Sequence, residues 1–184
     1  MASQHRIGLG VSQKGTAGER GIELMRNAMA AAEGSAERNR RTLYLGHLAS
    51  AHASLGQPEV GLDLLDEAVR TAEVTSEKLF EAELHRLRGD ILLTLGRRAE
   101  AEAGLRRALT IAQQQPARWW ELRTATTLAK HWRDEGKCLE AYSLLQPVYG
   151  WFVEGLDTTP LKDAKALLGE LKDPSDTQTQ ARRG

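Results

Sequence analysis

The chain has 184 residues, 41% of them hydrophobic and 27% charged, the composition of an ordinary folded domain with enough length to bury a core. Lys plus Arg and Asp plus Glu each total 25, so there is no net basic field of the kind that holds a protein on nucleic acid or on an acidic membrane. The one cysteine, Cys138, cannot close an intramolecular disulfide and suits a reducing, cytoplasmic setting.

No apolar run approaches the roughly 20 residues that cross a bilayer, and the opening MASQHRIGLG lacks the apolar stretch of a signal peptide. Residues 1–15 are expected to be a frayed start followed by RIGLGVSQKG, the back half of a helix whose front half is absent. Gly8, Gly10 and Gly15 do not make a phosphate loop, because Thr16 stands where the lysine of such a loop belongs and no hydrophobic strand precedes it. GERGIELMRNAMAAAEG then carries Ile22, Met25, Ala28, Met29 and Ala32 on one helical stripe. With its partner helix incomplete, Leu24, Met25 or Met29 should be exposed, and this N-terminal end becomes a candidate surface for self-association.

After the linker GSAERN, a first complete helical hairpin is predicted over about 39–73, as Asn39–Leu55 and Pro58–Glu73. Pro58 sits in the first turn of the returning helix, where a missing N–H costs nothing. A second hairpin spans about 77–113. Leu84, Leu87, Ile91, Leu92 and Leu95 line one face, Gly96 stops the helix, and Ala101, Leu105, Ala108, Leu109 and Ala112 repeat the spacing on the way back. The third spans about 117–152, as Ala117–Glu135 and Leu139–Phe152, with Pro147 predicting a kink or an early end near Gln146. Thr159 and Pro160 read as the N-cap and first position of a last helix over 159–171. Its polar Lys162, Asp163, Lys165 and Glu170 suit a cap. The tail 172–184 is polar, aperiodic and expected to be disordered.

A shift of 40 residues superposes these segments. Gly56, Gly96 and Gly136 share a column. Gly21, Gly61, Ala101 and Ala141 form a small-residue column, Met25, Leu65, Leu105 and Leu145 a large one, and Ala28, Ala68, Ala108 and Val148 a filler. Each hairpin thus needs its neighbour to bury its apolar face, and residues 16–171 are expected to form one repeat domain.

This small-large-small grammar resembles the tetratricopeptide repeat. The matching places are Ala49, Gly61, Leu65 and Ala68, then Gly89, Ala101, Leu105 and Ala108, then Ala129, Ala141, Leu145 and Val148. The Trp of the repeat's first helix is replaced by Leu45, His85 and Ala125, and the period exceeds the usual value of about 34. The resemblance implies an all-α, tetratricopeptide-like α-solenoid of antiparallel helical hairpins with a C-terminal capping helix. Over about Gly8–Leu171, and most specifically in PVYGWFVEGLDT at Pro147–Thr158, the chain is also similar to the C-terminal repeat region of bacterial signalling proteins, in which a cyclase or DNA-binding domain and an ATPase module come first. Only the repeat part of that architecture is matched, so what it implies is a scaffold and not the cyclase or ATPase activity.

Candidate chemistry is sparse. His47 and His52 are five apart and His131 is seven before Cys138, spacings that do not put two metal ligands on one helical face. Glu83 and Asp90 lack the companions of an acid–base site. No catalytic residue, cofactor or metal is therefore expected. The aromatics Trp119, Trp120, Trp132, Tyr142, Tyr149, Trp151 and Phe152 crowd the last third, with Trp132, Tyr149 and Phe152 on apolar stripes and one of Trp119 and Trp120 expected to be exposed.

In tetratricopeptide arrays the first helices line a concave groove. Carried over, the groove positions include Glu83, Arg86 and Asp90, then Arg123, Lys130 and Arg133, a set that grows basic toward the C-terminus. The competing arrangement pairs the arginines with Glu83 and Asp90. The expected function is protein–protein interaction with a protein or acidic peptide, at the sensing or regulatory end of a bacterial signalling protein, through Arg86, Asp90, Arg123, Lys130, Arg133, Trp119 and Trp120. The rival is a ligand sensor or enzyme with a pocket between the aromatic cluster and the cap.

Overall fold

The computed structural model describes residues 18–27, 29–30, 35–75 and 78–172. The half-helix and glycines expected before residue 16, Ala28 and Ala32 of the first stripe, and the tail from 173 lie outside these. Among the described residues every regular element is an α-helix, as the periodicity requires.

Residues 18–27 and 29–30 are helical (α1). There follow α2 (Ser35–Ser54), α3 (Pro58–Thr75), α4 (Glu81–Thr94), α5 (Arg98–Gln114), α6 (Arg118–Asp134), α7 (Cys138–Tyr149) and α8 (Thr159–Lys172). Residues 35–39 of the stretch taken as a linker supply the first turn of α2, since Ala, Glu and Arg favour helix once a packed segment continues it. Helix α7 passes through Pro147 and ends at Tyr149, short of the Phe152 expected from the pattern and a little past Gln146. Pro147 lies in the final turn, which closes when Gly150 N–H donates to the Gln146 carbonyl at 3.0 Å. At α8 the carbonyl of Thr158, not Thr159, accepts the first backbone bond, from Lys162 N–H at 3.0 Å.

The residues form two compact units, one within Met1–Gly96 and one within Arg97–Gly184. In the first, α2 packs on α3, and both pack on α4. Its core is Leu45, Leu48, Ala49, Leu62, Leu65, Leu84, Ile91 and Leu92. In the second, α6 packs on α5, α7 and α8, and α7 on α8, around Leu105, Leu122, Leu128, Trp132, Leu145, Leu161 and Leu167.

The repeat is visible atom by atom within each unit. Gly56, Gly96 and Gly136 take φ of 78°, 73° and 78°, the left-handed conformation that glycine adopts without penalty. Their N–H groups donate to the carbonyls of Ala53, Leu93 and Arg133 at 3.0, 3.0 and 2.9 Å. Gln57 and Lys137 N–H then reach back to the carbonyls of His52 and Trp132, satisfying the helix ends in the same way in both units. Gly61, Ala101 and Ala141 are buried, as are Leu65, Leu105 and Leu145, and Ala68, Ala108 and Val148. At Gly61 the need for a small residue is steric, because a Cβ there would stand 2.8 Å from the Ala49 carbonyl oxygen. Among the described residues nothing lies within 4 Å of where a Cβ on Gly21 would stand.

Candidate functional site

Helix α6 carries Trp119, Arg123, Lys130 and Arg133 at intervals of four, seven and three residues, which places them along one side of the helix over about 21 Å at 1.5 Å per residue. Trp119 is 37% exposed and meets Phe152 edge-on, with ring centroids 6.3 Å apart. The half-buried Trp120 ring lies beneath the Arg123 guanidinium at 5.6 Å, and Arg118 covers the exposed Trp151 ring at 4.0 Å, both within cation–π range. Lys130 is exposed and has no hydrogen-bond or ion-pair partner among the described residues. Arg133 is held by Asp134 at 3.0 and 2.9 Å and by a short contact to Glu170 of α8. Partial burial works to lower its pKa, but the bonds to Asp134 and Glu170 outweigh it and raise the value. Of the basic residues on this stripe, Lys130 is therefore the unengaged cation.

In the first unit the expected groove charges have a different setting. Arg86 is buried on α4, bonded to Glu83 through Nε at 2.8 Å and Nη2 at 2.9 Å, with a short contact from Nη1 to Asp90. Burial opposes its charge, yet the hydrogen bonds and negative charges of Glu83 and Asp90 raise its pKa. Arg86 takes up the competing, ion-paired arrangement, which fixes α4 internally and leaves only the Asp90 carboxylate partly in solvent.

A second cluster lies where α5 meets the end of α6. His131 and Glu135 stand one helical turn apart, and Glu102 of α5 faces them. His131 Nε2 is 3.5 Å from Glu135 Oε1 and 3.9 Å from Glu102 Oε2. Glu102 Oε1 accepts from Arg106 at 2.8 Å and from the Trp132 indole at 3.0 Å. Glu135 Oε2 accepts from Lys137 at 2.7 Å. Bonding to Arg106 holds the Glu102 carboxyl below the usual range against the effect of burial, and bonding to Lys137 does so for Glu135. These three residues could hold a metal ion. Sequence reading missed them because it considered only pairs of His and Cys. The four-residue step from His131 to Glu135 was legible, but the approach of Glu102 was not.

A cavity of about 400 Å³ lies beside α1 in the first unit, lined by Ile22, Arg26, His52, Leu55 and Gln57 among others. Arg26 Nη2 and His52 Nε2 are 3.3 Å apart, and His52 Nδ1 is 2.7 Å from Gln57 Oε1.

Residues 39–114 match the family model of the tetratricopeptide repeat. No curated protein matches the chain. Among solved structures it is similar to the nearly identical TPR-like repeats of a Podosopora anserina protein assigned as a kinesin light chain, in a single-substitution form. The two share 17% identity with a TM-score of 0.61, over 92% of this chain and 84% of that one. At that identity the likeness bears on fold alone. The chain therefore has the fold of a tetratricopeptide-like helical repeat, and over residues 39–114 it carries the sequence pattern of that repeat as well.

Proposed function

We propose that the chain is a non-catalytic protein-binding module that takes an acidic peptide along α6, with Lys130 and Arg123 supplying charge and Trp119 and Trp120 supplying flat apolar contact. Tetratricopeptide-like repeats are in general scaffolds for binding proteins or peptides. The observation that carries the finer reading is the stripe itself: an exposed lysine with no partner among the described residues and a half-buried, ring-stacked arginine on the same side of α6 as an exposed tryptophan, aromatics and arginine being the side chains that dominate binding energy at interfaces. Arg86 and Asp90 act here as the ion pair that sets the α4 surface, and Arg133 as the tie to Glu170.

The likeness of Pro147–Thr158 to bacterial signalling proteins supports a place at the regulatory end of a cytoplasmic cyclase- or DNA-binding-domain–ATPase protein. Leu24 is 70% exposed on α1, which supports self-association through that end. The test is titration of tryptophan fluorescence with a Glu-rich peptide. Lys130→Glu with Arg123→Glu should abolish binding while circular dichroism and melting temperature hold, since rim charges act on association more than on folding. Undiminished binding would place the site elsewhere.

A further inference from the structure

His131 is a buried imidazole with a polar atom left over. Its side chain is only 3% exposed, and Nε2 has no hydrogen-bond partner. Burying a polar atom in this way costs free energy that the fold does not need to spend. One repeat earlier the same three positions are Leu62, Ile91 and Leu95, apolar residues that suit a helix interface. Replacing them with Glu102, His131 and Glu135 breaks the local rule, and such breaks are expected at functional places.

We propose that Glu102 Oε2, His131 Nε2 and Glu135 Oε1 bind a divalent transition-metal ion, best fitted by zinc, that joins α5 to the end of α6. Imidazole nitrogen and carboxylate oxygen are both zinc ligands, and bond lengths of about 2.0–2.2 Å set tetrahedral ligand atoms about 3.3–3.6 Å apart. The observed 3.5 and 3.9 Å are close to that edge, and each of the three residues offers a ligand atom within 4.8 Å of the other two. The two carboxylates are 20% and 22% exposed, so the site has access to solvent. Arg106 and Trp132 occupy the far oxygen of Glu102, and Lys137 that of Glu135, so the near oxygens are aimed at the imidazole by outer hydrogen bonds, as second shells do at metal sites. Calcium and magnesium, which require six or more oxygens, fit poorly. The fourth zinc position falls to water. The competing explanation is a protonated imidazole bridging the two carboxylates.

The test uses the full chain stripped with a chelator and then titrated with Zn2+ and Co2+. Native mass spectrometry should show one zinc per chain, Co2+ should develop ligand-field absorption, and zinc should raise the melting temperature by several degrees. Glu135→Gln and Glu102→Gln should each weaken zinc at least tenfold, whereas loss of the exposed His47 should not. The 15N resonances of the His131 ring, followed in the unmutated chain, should shift on adding zinc whether or not the variants fold. Equal zinc affinity in both carboxylate variants, an unshifted His131 ring, or stabilisation by acidification with no response to zinc would overturn the site, the last in favour of the protonated bridge.

Discussion

Gly61 and Gly104 both lie inside helices, and they should respond oppositely to alanine. A Cβ at Gly61 would press on the Ala49 backbone oxygen and on Ile91 Cδ1 at 2.9 Å, whereas one at Gly104 meets nothing within 4 Å. Gly61→Ala should therefore destabilise by about 1–3 kcal/mol through overpacking, and Gly104→Ala should stabilise by about 0.5–1 kcal/mol through helix propensity. Denaturant midpoints of the two variants read the difference directly. The same logic separates Ala101→Leu and Ala108→Leu, at fully buried positions, from Ala103→Leu, at an exposed one. Glu102 and Glu135 add a pH dependence. Their folded-state pKa values lie below the ordinary 4.5, so their contribution to stability is complete above that pH and is lost as pH falls beneath it. Melting curves between neutral pH and pH 3 should show a shallower acid decline for Glu102→Gln.

At the scale of the helix, α4 depends on a buried charge pair. Removing one partner leaves the other charge without compensation, so Arg86→Met should cost about 3–5 kcal/mol, and replacing Glu83 with Leu at the same time should recover much of that loss. A double-mutant cycle by urea unfolding checks this; additive losses would mean that the two charges do not depend on each other. Helix α8 divides into a core face and a solvent face. Leu161, Ala164, Leu167, Leu168 and Leu171 are buried, and Lys165 is exposed. Leu167→Ala should cost about 2–5 kcal/mol, while Lys165→Ala should stay within about 0.5 kcal/mol.

At the scale of the whole chain, the 40-residue period governs structure more strictly than it governs chemistry. The buried columns and glycine turns recur, whereas the outward positions diverge: Asp90 and Lys130 occupy equivalent places with opposite charge. Binding specificity on a repeat scaffold is written in those diverging positions. If acidic peptides bind along α6, the affinity should fall as salt rises from low to physiological concentration, because exposed charges are screened within about 8–10 Å. Affinity independent of salt would assign binding to the tryptophans alone.

Helices, turns and repeat columns were determined by the sequence itself, because each depends on residues within four or five positions of one another and on a periodicity that can be counted. The all-helical fold follows from that pattern: Gly96 had to stop a helix, and Leu105 had to be buried. The fate of the charges depends instead on how the helices pack. Arg86 and Lys130 look alike in a sequence, yet one is enclosed by carboxylates on its own helix and the other stands in solvent. His131 became a candidate metal ligand only when Glu102, 29 positions earlier, was carried against it by the packing of α5 on α6. Such contacts depend on rotamers and on the distance between packed helices, which local periodicity does not encode.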